Sequence, residues 1–252
     1  MTTMISKSYT DSHFGASPKD VDKVEIFRDR VTGWQLDIAK EIIRQIDATG
    51  DGDVIHHAGY AVLSILTNYF EMIWQHIAGT SSNRRSGDFF AYGFKDVYKT
   101  TPLSHDDIKD IVYHRLRCGM YHDGYTRKGV TIKHNYPQDF EYDRANDELK
   151  VNPHTLVGTL ETHFAAYIAK LQPGTNELRK FLAIFNQSMP TVPATPPPPT
   201  GIPPTPPAAP PSYPPPSQPS GTPPRSPLGG GASSGGSGGF FGGGGPPPSG
   251  TR

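Results

Sequence analysis

The composition of the chain switches abruptly near Pro190, and that switch decides how much of it can fold. From Pro190 to Arg252 nearly every residue is Pro, Gly, Ser, Thr or Ala. This stretch holds no Asp or Glu, and its only cations are Arg225 and Arg252. Ordering a backbone costs about 1–2 kcal/mol per residue, and the stretch has too little apolar surface to offset that. Residues 188–252 are therefore expected to be a disordered Pro/Gly-rich tail. The runs Pro196–Pro199 and Pro214–Pro216 favour extended polyproline II. With Phe240 and Phe241 they give a tail-binding protein something to grip; a passive spacer is the alternative.

What remains suits one core: a domain over residues 20–187, preceded by a flexible leader over 1–19. The formal net charge of the whole chain is zero, so setting aside the tail's two arginines leaves the rest at −2. No overall basic field of the kind that binds nucleic acid non-specifically follows from that balance. Cys118 is the sole cysteine, which excludes an intrachain disulfide. The polar opening residues lack a signal-like apolar region, and no apolar run approaches the ~18 residues of a membrane span. The expectation is a cytoplasmic protein with no membrane partner.

Hydrophobic spacing reads mainly as helix. Val24, Phe27, Val31, Trp34, Ile38, Ile42 and Ile46 recur at intervals of three and four, one stripe along a helix of about 25 residues that Gly33 weakens. A breaker run, 48–53, separates it from a second, more apolar helix over about 54–77, and the two make a helical hairpin. A short aromatic helix follows over 88–98. A further helix is capped by Ser104, with Asp107 three positions on, and stops at Asp123-Gly124. The period then changes to alternation in 130–132, 140–142 and 149–151, which reads as a two- or three-stranded antiparallel sheet, a β-hairpin insertion over about 130–151. Asn152-Pro153 opens another helix, and 176–187 holds a last short one.

The chemistry concentrates in Arg117-Cys-Gly-Met-Tyr-His122. An arginine, four residues and a histidine, late in a helical hairpin bundle, resemble the Arg-x(4–6)-His motif of HEPN domains. The element order and the Asn152-Pro153-His154 helix start after the hairpin are similar to HEPN-like proteins too, so the resemblance covers about residues 20–172. It implies an up-and-down helical bundle and a homodimer with two motifs facing one another. It further implies a metal-independent endoribonuclease of toxin or defence type, without cofactor, in which the ribose 2′-OH attacks the phosphate. The residue types suit that reaction. Histidine titrates near neutral pH and moves protons, while arginine stays cationic and forks onto phosphate oxygens. By resemblance, Arg117 would hold the phosphate and His122 would serve as acid and base. A cognate antitoxin would be a partner. The position after the arginine is often polar in active members, commonly Asn. Here it is Cys118, which bears on catalysis more than on fold. The alternative is a non-catalytic HEPN-like module for RNA binding, protein interaction or dimerisation.

Other residues are read as support. Five residues on an ideal α-helix separate Arg117 and His122 by about 140°, so Arg115, two turns before His122, is a second candidate cation. Cys118, Tyr121 and Asp123 flank the motif. Glu71, on the apolar second helix, needs a partner and would orient an arginine of the motif helix. Arg84, Arg85, Arg127 and Lys128 are candidate RNA-backbone contacts. His114, Cys118 and His122 lie four apart, but the outer pair is about 12 Å apart along a helix, too far for one zinc ion. Asp47, Thr49, Asp51 and Gly52 look like half a calcium loop, with Ala58 where a bidentate Glu belongs. No metal is assigned.

Overall fold

The computed structural model describes residues 4–10, 13, 18–49 and 57–188. The chain divides into two units, 1–195 and 196–252; the second unit, and the expectations for the tail, lie outside the described residues. The first is mainly helical with a small three-stranded sheet. In chain order it runs α1 (Asp20–Val31), a π-wound turn (Thr32–Leu36), α2 (Asp37–Ala48), α3 (Gly59–Leu66), α4 (Asn68–Ala78) and α5 (Ser86–Val97). Next come a short α6 (His105–Asp107) that continues as a π-wound helix (Ile108–Asp123), then β1 (Val130–Ile132), β2 (Phe140–Asp143), β3 (Glu148–Val151), α7 (Pro153–Ile168) and α8 (Asn176–Ser188).

The first stripe is displaced midway. A π turn takes one extra residue per hydrogen-bonded loop, so the helix after it presents a rotated face. Val31 is buried as the spacing predicts, but beyond the turn Leu36, Ala39, Ile43 and Ile46 face the core, while Trp34 and Ile38 are 44% and 43% exposed. The π turn contains Gly33, and a Cβ there would lie 2.4 Å from the Lys7 side chain. Lys7 crosses that gap to Asp37 at 2.7 Å. Ile5 and Ser6 are buried beside it, and the Ser8 N–H donates to Asp29 at 2.6 Å. Part of the leader expected to be loose is thus packed, because a residue without a side chain leaves room for it.

The core is centred on α4. Phe70 is fully buried and meets Phe90 and Phe94 of α5, each with ring centroids 5.2 Å away. Close packing of α4 on α5 depends on Gly93, where a Cβ would sit 1.9 Å from the Phe70 carbonyl oxygen. On the other side of the core Phe164, Phe181 and Phe185 gather around Phe27, and the buried His76 lies against Phe27 and Phe181. His76 donates through Nδ1 to the Met72 carbonyl at 2.9 Å.

The sheet departs from the all-antiparallel expectation. β2 and β3 form the antiparallel hairpin, but β1 pairs with β3 in parallel, giving the order β1-β3-β2. Alternation reports which face of a strand is apolar, not which strand is its neighbour. β3 carries Leu149 and Val151, both fully buried, and the central position pairs its backbone on both edges. The link over 133–139 carries the chain past it to the far edge.

Both predicted caps form. The Ser104 Oγ accepts the Asp107 N–H and the Asp107 carboxylate accepts the Ser104 N–H, each at 3.0 Å. Asn152 accepts the His154 N–H at 2.9 Å, with Pro153 as the first helical residue. Gly124, with φ of +77°, ends the π-wound helix in the left-handed conformation that suits glycine.

Candidate functional site

The candidate motif lies in the last turns of the π-wound helix, Ile108–Asp123. Its i→i+5 hydrogen bonds bring residues five apart over one another. Arg117 and His122 are therefore closer to a common face than α-helical geometry predicts, and the 140° separation does not apply.

Arg117 is the better-fixed member. Its guanidinium lies over the Tyr121 ring at 4.5 Å and over the Tyr113 ring at 5.5 Å. On its open side it faces Glu71 of α4 at 4.0 Å; both side chains are less than one-fifth exposed. Tyr121 is anchored in turn: its hydroxyl accepts from the Asn68 amide and donates to the Ser64 carbonyl at 3.2 Å. Burial pushes the Tyr113 hydroxyl upward, and the neighbouring Cys118 thiol adds to the effect. Cys118 is 7% exposed, so the residue after the arginine faces inward and not toward the surface. His114 is exposed, and the row His114, Cys118, His122 does not share one face. Among the described residues no group of three or more His, Cys, Asp or Glu is placed to hold a metal ion. Asp51 and Gly52 of the calcium-like run lie outside the described residues.

His122 is exposed and makes no hydrogen bond, ion pair or ring contact with any described residue. Arg115 is occupied elsewhere. It pairs with Asp147 at 2.7 Å and Asp110 at 2.8 Å, both bonds holding its charge more firmly. Asp147 also accepts the Tyr142 hydroxyl at 2.6 Å, so Arg115 clamps the β2–β3 turn onto the motif helix. Asp123 pairs with Arg127 at 2.8 Å, and the Arg127 N–H donates to the Arg115 carbonyl at 2.9 Å. The chain thus folds back over Gly119, where a Cβ would lie 2.7 Å from the Tyr125 carbonyl oxygen. Lys128 is exposed. Arg84 is exposed and adopts φ of +68°; Arg85, also exposed, reaches Asp88 at 3.4 Å. The loop they belong to leads into α5, whose Gly87 lies against Tyr113.

Tyr121 stands among the residues the sequence names, but Tyr113, Tyr60 and Tyr125 do not. Tyr113 and Tyr121 flank Arg117 at four residues on either side, a spacing legible in the sequence. Tyr60, 42% exposed, reaches Thr126 at 3.2 Å. Tyr121 and Tyr125 are 48% and 63% exposed. Nothing in the sequence joins Tyr60 to the motif, because the contact bridges 66 residues. A second polar chain is internal: the Tyr69 hydroxyl meets His163 Nδ1 at 2.7 Å, and His163 Nε2 meets Asp96 at 3.0 Å. The His163 bond holds Asp96 at about 2, below the usual carboxylate range.

No family model matches the sequence, and no curated protein or solved structure matches it. No helix among the described residues is long and apolar enough to cross a membrane.

Proposed function

We propose that the chain is a HEPN-like, metal-independent endoribonuclease acting as a homodimer, with Arg117 and His122 at the site. The observation that carries the reading is the contrast between the two side chains. Arg117 is held in one orientation by two tyrosine rings and Glu71, whereas His122 is exposed and bonded to none of the described residues. A fixed guanidinium suits phosphate positioning, and a free imidazole suits proton transfer to and from a 2′-OH and a leaving oxygen. Tyr60, Tyr121 and Tyr125 offer rings for unstacked bases around them. The test is cleavage of labelled RNA by the full chain in EDTA. Products ending in a 2′,3′-cyclic phosphate and at least a hundredfold loss in His122→Ala are expected. Equal rates in the two proteins, or no cleavage at all, would sink the catalytic reading.

One observation favours a second reading, a non-catalytic HEPN-like module that binds RNA or dimerises through the same face. Cys118 is turned inward, the motif exposes Tyr121 and His122 with Arg117 half-buried behind them, and three exposed tyrosines beside one arginine make a contact surface without chemistry. RNA binding by filter retention without cleavage, lost in Tyr121→Ala, would select this reading over the first.

A further inference from the structure

A cleft lies between the C-terminal end of α5, the 98–103 loop and β2. It encloses about 760 Å³, within the range of small-molecule sites. Its chemistry is specific. Asp139 lines it and is only 9% exposed. One carboxylate oxygen accepts the Tyr98 hydroxyl at 2.7 Å. The other has no hydrogen-bond partner among the described residues, yet it is not sealed from the surface. Among the described residues no cation pairs with Asp139. The charged groups of the rim are all taken: Lys99 by Asp96, Arg144 by Asp107 at 2.9 Å, and Glu141 by Lys150 at 3.0 Å. A buried carboxylate with one neutral partner is costly unless a positive charge meets it. Around it stand rings: Phe140 lies edge-on to Phe94 and Tyr98, and Tyr142 already carries the Arg144 guanidinium 5.6 Å from its centroid.

We propose that this cleft binds an organic cation, an alkylguanidinium or alkylammonium group, whose head pairs with Asp139 and whose body packs on the Tyr98 and Phe140 rings. The combination of one unpaired buried carboxylate with aromatic faces attracts cations and repels anions. A free amine and an arginine side chain of a partner protein present the same head, so both are tested.

The experiment titrates the ¹⁵N-labelled full chain with agmatine, with N-acetylarginine methylamide and with butyrate. Saturable shifts confined to Thr100, Thr101 and 138–141 are expected with the two cations and none with butyrate. Tighter binding of agmatine assigns a free small molecule, and tighter binding of the blocked arginine assigns a protein side chain. Asp139→Asn is expected to weaken cation binding at least tenfold. The proposal is overturned by the absence of saturable shifts up to about 10 mM cation, by shifts centred elsewhere, by equal response to butyrate, or by unchanged affinity in Asp139→Asn. Should that variant not fold, the wild-type comparison of agmatine with butyrate decides the matter alone.

Discussion

His76 contributes a specific term to the acid stability of the domain. It is buried between Phe27, at 4.4 Å between centroids, and Phe181, at 5.6 Å. Burial lowers its pKa from 6.5 to about 4, partly opposed by its hydrogen bond to Met72. The folded state therefore keeps His76 neutral where the unfolded chain would protonate it. With more protons bound in the unfolded state, stability falls as pH falls, starting below about 6.5 and ending near 4. Linkage between those two values gives a loss of about 2 kcal/mol from pH 7 to 4.5 for this one residue. The depressed carboxylates Asp88 and Asp96, both at about 2, act in a separate window. Their contributions are present above the ordinary value of 3.8 and vanish as pH falls through 2. Urea unfolding of wild type and His76→Phe at pH 7.0, 5.5 and 4.5 isolates the term. Phe fits the aromatic cluster and does not titrate, so the variant should lose about 2 kcal/mol less than wild type over that range. Parallel pH profiles of the two proteins would refute the assignment of the acid sensitivity to His76.

Further outcomes follow from particular contacts. Gly93→Ala drives a methyl into the Phe70 carbonyl and should cost at least about 3 kcal/mol, read as a fall in the urea midpoint, since helix backbones and not a flexible side chain must move. Ser104→Ala removes one half of the capping box and should cost about 1 kcal/mol in the same assay. Arg117→Ala should destabilise by about 1 kcal/mol and more than Glu71→Gln does, because the guanidinium is held by rings at closer range than by the carboxylate at 4.0 Å; the reverse order in thermal melts would put the ion pair first.

How much of this was legible in advance differs element by element. The helical class, the Ser104 and Asn152 caps and the stop at Gly124 all follow from local chemistry, because hydrophobic spacing, capping oxygens and positive-φ glycines act within a few residues of themselves. The Arg117–His122 pair and the need of Glu71 for a partner were visible as residue types. Tertiary structure alone decided three things. The π-wound segments rotated the buried face of α2 and brought the two motif residues toward one side, since an extra residue per turn is set by packing and carries no hydrophobic signature. The parallel pairing of β1 with β3 departed from the all-antiparallel expectation, since the buried Leu149 and Val151 put β3 at the centre of the sheet. The identities of Arg115 as a clamp and of Asp139 as a buried acid without an ion-pair partner, and the anchoring of Tyr121 by Ser64 and Asn68, depend on contacts across tens of residues. Periodicity names the face of an element; only the packed chain determines what that face meets.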